Sequence, residues 1–211
     1  MRRRAVLVLP ALVLLPAVLA GCGDDARDDA VPAVSAPAGA VAPTGGGTAG
    51  ATATGTFAPY AAGATAVTYD PALVPPGAVA TVTLSPAGSG TTVRLAVTRL
   101  QPGRGYGAHL HVKPCGPTGD AAGPHYQHHP DPAASASPPS VDPSYANPAN
   151  EVWLDFTTDG SGDATTTATQ PWTFDPARAP RSVIIHAQPT KTAPGVAGTA
   201  GARLGCLTLP G

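Results

Sequence analysis

Charge is scarce in this chain: Lys, Arg, Asp and Glu together make up 12% of its 211 residues, and aromatic residues only 5%. Long surface helices held by ion pairs need more charge than this, so an α-helical domain is disfavoured. No basic run lies beyond the first few residues that could neutralise a row of phosphates, which argues against nucleic acid as a partner. Nor is there a run of ~20 apolar residues able to span a bilayer. The longest candidate, Ala5 to Ala20, is shorter and carries Pro10 and Pro16. What is abundant is Gly (25) and Pro (26), the composition of short strands joined by turns around a single core.

The first residues read as an export signal. Arg2, Arg3 and Arg4 precede the apolar run, and small residues precede Cys22, so residues 1–21 are expected to be a cleaved lipoprotein signal peptide. Leu19-Ala20-Gly21-Cys22 resembles the bacterial lipobox, in which the cysteine receives a lipid and becomes the membrane tether. The alternative is an ordinary signal with Cys22 a free thiol. Beyond the signal nine basic residues face thirteen acidic ones, so the exported protein is mildly acidic. Removing Cys22 leaves Cys115 and Cys206, which in an oxidising compartment read as one disulfide.

Residues 22–60 are dominated by Ala, Gly, Pro and Thr and show no periodic apolar pattern, so they are expected to form a flexible tether. The folded domain is assigned to residues 61–211. Within it, eight segments have the alternation of half-buried strands: 65–69, 78–85, 91–99, 107–113, 151–156, 162–169, 182–187 and 202–209. Two long turn-rich stretches, 114–150 and 188–201, interrupt them. The expected fold class is all-β, a sandwich or barrel with two long loops, and chemistry is sought at the edges of those loops.

All six histidines fall in three places: His109 with His111, His125 with His128 and His129, and His186. On a strand, His109 and His111 project from one face while Ala108, Leu110 and Val112 project from the other. His186 ends the apolar run Val183-Ile184-Ile185, where a rigid strand carries it to the rim of a core. Such imidazoles suit copper, zinc, iron or nickel, and no cysteine remains to supply a thiolate.

Taken in order, Gly107-Ala108-His109-Leu110-His111, Cys115, Gly123-Pro124-His125-Tyr126, Ile184-Ile185-His186 and Gly201-Ala202-Arg203-Leu204-Gly205-Cys206 resemble the copper-zinc superoxide dismutase family. The resemblance covers about residues 66–210. It implies an eight-stranded Greek-key β-barrel, copper held by His109, His111, His125 and His186, and a disulfide between Cys115 and Cys206. It further implies that Arg203 orients superoxide and that His125 is the bridging, proton-carrying histidine. Superoxide is then the substrate, and the reaction yields oxygen and hydrogen peroxide at the outer face of the cell membrane. A catalytically weak or inactive copper-binding lipoprotein is the alternative, and a purely structural envelope lipoprotein a third. No oligomer surface is legible.

The family's zinc ligands have poor counterparts. Asn147 and Asn150 stand where a histidine and an aspartate are expected, so zinc is doubtful. His128, His129 and Asp131 lie near enough in sequence to serve a second metal or to support the first. Where the family links its metal sites through an aspartate this chain has Thr190 or a neighbour. A carboxylate, Asp131 or Glu151, is expected to take the zinc's place beside His125. Trp153 and Trp172 are assigned to packing.

Overall fold

The structure is a computed structural model that describes residues 50–135 and 137–210. The expected signal peptide, Cys22 and most of the expected tether therefore lie outside the described residues. Among the described residues no helix is long and apolar enough to cross a membrane.

Nine strands follow in order: β1 (Thr52–Thr56), β2 (Ala66–Thr68), β3 (Val79–Ala87), β4 (Gly90–Thr98), β5 (Gly105–His111), β6 (Phe156–Thr157), β7 (Ala164–Gln170), β8 (Ser182–His186) and β9 (Arg203–Thr208). They make two antiparallel sheets, β1-β3-β4-β7 and β2-β9-β8-β5-β6. The fold is all-β, as composition and periodicity imply.

β3 and β4 show why the first sheet forms. Ala80, Val82 and Leu84 alternate with exposed or half-exposed residues, as do Val93, Leu95 and Val97, so each strand buries one face and wets the other. Each fully buried Val or Leu side chain here is worth about 1.5–3 kcal/mol. The second sheet differs, because β8 is buried on both faces. Val183 and Ile185 enter the main core, while Ile184 packs outward with Ala122 and Cys206 beneath the first long loop.

The domain begins earlier than residue 61. β1 pairs with β3 over five residues, and Thr52 and Thr54 stand beside Thr83 and Thr81, their hydroxyls 3.4 and 3.0 Å apart. The tether assignment is therefore corrected from Thr52 onward. The strand escapes a hydrophobicity reading because its inward residues are only Ala53 and Gly55. Small size is required there: a Cβ on Gly55 would lie 2.6 Å from Ala66 Cβ and 2.8 Å from Leu207 Cδ1. A second correction concerns 151–156. Only Phe156 enters a strand, while Glu151 and Trp153 touch Gln127 and His109 through isolated bridges.

Candidate metal centre

β5 and β8 are neighbours, with His109 opposite Ile184 and Gly107 opposite His186. The pleat sends Ala108 and Leu110 into the core and leaves His109 and His111 on the opposite face, where the long loops bury both completely. The second loop presses on this sheet at Gly107, where a Cβ would meet Gln188 O at 2.6 Å and Ala200 Cβ at 2.7 Å. His125 arrives from the first loop, bridged to His111.

The four rings of His109, His111, His125 and His186 offer one nitrogen each, and these atoms lie within 4.8 Å of one another. The opposite nitrogen of every ring is engaged. His111 Nδ1 is 2.9 Å from Gly123 O, and His186 Nδ1 makes a longer contact of 3.4 Å to Gly201 O. His125 Nδ1 meets Glu151 Oε2 at 2.9 Å. His109 Nε2 is 2.7 Å from Thr190 Oγ1, whose own hydroxyl donates to Asp155 Oδ1 at 2.6 Å. With the Thr190 proton committed to Asp155, His109 must be the donor. The network thus fixes the tautomers: Nδ1–H in His111, His125 and His186, and Nε2–H in His109.

The remaining nitrogens point at one another without partners. His109 Nδ1, His111 Nε2 and His186 Nε2 are buried and make no hydrogen bond. Three orphaned buried lone pairs would cost stability with nothing between them, and a metal ion held about 2 Å from each would satisfy all of them. Burial also keeps these rings neutral. It pushes His109 and His111 far below the usual imidazole range and His186 down to about 3, with the neighbouring imidazoles adding to the effect. The metal-free protein is accordingly expected to lose stability as pH falls from about 6.5 toward 3. The unfolded chain takes up the proton that folded His186 refuses, which costs about 1.4 kcal/mol per pH unit across that window. Denaturant titrations at successive pH values check this, and a flat profile would contradict it.

Glu151 is the partner of His125, and Asp131 is not. The Glu151 carboxylate is buried and accepts three bonds: His125 Nδ1 and Trp153 Nε1 on Oε2, and Gln127 Nε2 on Oε1. Asp131 is spent on Ser140 Oγ and the Ala133 amide. His128 stacks on Trp172 with ring centroids 4.6 Å apart and planes 1° from parallel, and His129 lies against it. Among the described residues neither these histidines nor Asp131 joins a metal-type cluster. The two asparagines are structural. Asn147 caps its own turn, accepting from the Ala149 and Asn150 amides, while Asn150 ties His129 to Tyr145. The role of Asp155 behind Thr190 and those of Gln127 and Trp153 around Glu151 are absent from the sequence reading. Trp153, assigned to packing from the sequence, also donates its N–H to Glu151 Oε2.

Arg203 opens β9 and is held from below. Its Nη1 donates to Gly119 O at 2.9 Å and Gly123 O at 2.8 Å, so the Gly123 carbonyl serves both this arginine and His111. Gly119 must be glycine for the loop to come so near, since a Cβ there would lie 2.6 Å from Arg203 Cβ. The loop itself is stapled to β9 by the Cys115–Cys206 disulfide.

Fold and site together define a two-sheet β-sandwich with a buried four-imidazole pocket and an anchored arginine at its edge. The chain belongs to the copper/zinc superoxide dismutase family, whose sequence model matches residues 77–208. Among solved structures it is similar to the Cu/Zn superoxide dismutase from Brucella abortus, at 18% identity and a TM-score of 0.47, covering 75% of this chain and 99% of that one. It is also similar to a double mutant of a superoxide dismutase-like protein from Bacillus subtilis, at 20% identity and a TM-score of 0.45, covering 62% and 88%. No curated protein matches the chain.

Proposed function

We propose that this protein is a copper-dependent superoxide dismutase that works without zinc, exported and anchored by a lipid on Cys22 at the outer face of the cell membrane. The observation that carries the proposal is the set of four imidazoles that each present one nitrogen to a common point and are each fixed from behind through the other. His109 Nδ1 and the Nε2 atoms of His111, His125 and His186 would hold the ion. Copper bound there supplies the one-electron couple by which one superoxide is oxidised to oxygen and a second is reduced to hydrogen peroxide.

The chain's own residues do the rest. The Arg203 guanidinium, immobilised through Nη1, keeps Nη2 for the incoming anion, and a planar fork suits a small charged oxygen species. His125 Nε2 is able to hold one of the two protons that hydrogen peroxide takes away. Glu151 at Nδ1 stabilises the imidazolium so formed and keeps the ring in place, the task a second metal performs in the full family. Stacking of His128 on Trp172 keeps that ring out of the lining around the histidines, which favours an enzyme over a closed copper store. The disulfide supports export, since such bonds persist in oxidising compartments.

Dismutation and metal content measured on the same sample test the proposal. One copper per chain, activity with no gain on adding zinc, loss of at least about 100-fold in His125→Ala and of about tenfold in Arg203→Ala are expected. Tight copper binding without dismutation would move the protein to the copper-binding reading. No copper uptake would end both.

A further inference from the structure

Superoxide has two heavy atoms, and the space beside the histidines is far larger. A cleft of about 810 Å³ borders His125, His186 and Arg203. A single water takes about 30 Å³ of liquid, and clefts of about 300–1,000 Å³ accept whole organic ligands. Much of the wall is apolar: Pro124, Tyr126, Pro130, Ala134, Pro139 and Ala179 all line it.

The charges on the wall are unequally committed. Of the two carboxylates, Glu151 accepts from His125, Gln127 and Trp153, and Asp131 accepts from Ser140 and the Ala133 amide. Neither has spare need of a cation. Arg178 is tied to Asp175 through Nε at 2.9 Å. Arg203 uses Nη1 on two carbonyls, and its Nε lies 3.9 Å from the exposed Asp120. The Arg181 guanidinium makes no hydrogen bond or ion pair with any described residue, although its backbone is pinned on both sides, N–H to His111 O at 2.8 Å and C=O from the Leu209 amide at 2.8 Å. A fixed root with an uncommitted planar cation, set in an apolar wall, is the arrangement that recognises a carboxylate on an apolar body.

We infer that this cleft binds an amphipathic organic anion, an aromatic carboxylate in chemical class, with its charged end on Arg181 and its flat body against the proline and alanine walls beside His125. A ligand seated there shares the cleft with Arg203 and so obstructs the approach of a small anion to the histidines. The inference goes beyond the dismutase reading and does not require copper.

The probe is 2-naphthoate, titrated by calorimetry into the copper-free full chain, with naphthalene-2-carboxamide and acetate as controls. Saturable 1:1 binding tighter than about 1 mM is expected, with the neutral amide and the Arg181→Gln variant each weaker by about tenfold, and acetate failing to bind. Arg181 is exposed, so the variant should keep the wild-type thermal midpoint and copper uptake. Absence of saturable naphthoate binding, or equal affinity in Arg181→Gln or for the amide, overturns the inference. A copper titration of the same preparation separates the two readings: copper uptake without naphthoate binding removes this one alone, and naphthoate binding without copper uptake removes only the dismutase.

Discussion

Glu151→Ala is expected to lower copper affinity by about 10- to 100-fold and to cost about 3–5 kcal/mol of stability. The carboxylate is buried and accepts from Trp153 Nε1, His125 Nδ1 and Gln127 Nε2. Removing it strands three partly buried donors, each at up to about 1–3 kcal/mol, an upper bound that relaxation and water entry reduce. The ring of His125 is then free to rotate or change tautomer, and a proton on Nε2 would occupy the nitrogen that faces the other histidines. Glu151→Gln separates charge from shape. An amide oxygen at the Oε2 position still accepts from His125, so copper should stay bound, while the loss of negative charge leaves the imidazolium less stabilised and slows dismutation. Copper affinity by competition with a chelator and activity on copper-replete samples distinguish the two variants. Equal affinity in wild type and Glu151→Ala would mean that His125 needs no partner, and the zinc-free reading would lose its basis.

Loss of the Cys115–Cys206 disulfide, through a double serine variant, is expected to have the largest effect on folding. The two cysteines are 91 residues apart, and releasing a loop of that length from the unfolded chain costs about 4.5 kcal/mol in the chain-entropy account, within the usual 2–5 kcal/mol. A second effect is local. The disulfide holds the loop that contains Gly119 and Gly123, and those carbonyls anchor Arg203 and, through Gly123, His111. Activity should therefore fall more steeply than the folded fraction. Urea unfolding alongside activity at low urea would show this; a variant with unchanged midpoint and unchanged activity would refute both parts.

Much of the site was legible because its residues are few and their chemistry is specific. The spacing of His109 and His111 fixes one face of a strand whatever the fold around it, and His186 at the end of Val183–Ile185 needs only the strand period. Resemblance to the family, motif by motif, is what places His125 and Arg203, and the two cysteines left after Cys22 read as a pair. Less was legible where pairing depends on loops. Asp131 is four residues from Gln127 and nearer His125 in sequence than Glu151, but its carboxylate is taken by Ser140, and the 145–151 turn, built on Asn147 and Asn150, delivers Glu151 instead. The Thr190–Asp155 pair behind His109 spans 35 residues, and no local pattern marks it.

What the sequence determined by itself was therefore the all-β class, the shared face of His109 and His111 and the cysteine pair, because strand period and residue chemistry are local properties of the chain; the full four-imidazole set is what the family resemblance implies. Tertiary structure alone decided where the domain begins, which carboxylate stands behind His125, and that a wide cleft with a free Arg181 opens beside the histidines. Those outcomes depend on close packing between elements far apart in the chain: β1 at Gly55 against Ala66 and Leu207, the second long loop at Ala200 against Gly107, and the first long loop at Gly119 against Arg203. Each such approach closes only in the folded protein, where a missing Cβ leaves the room for it.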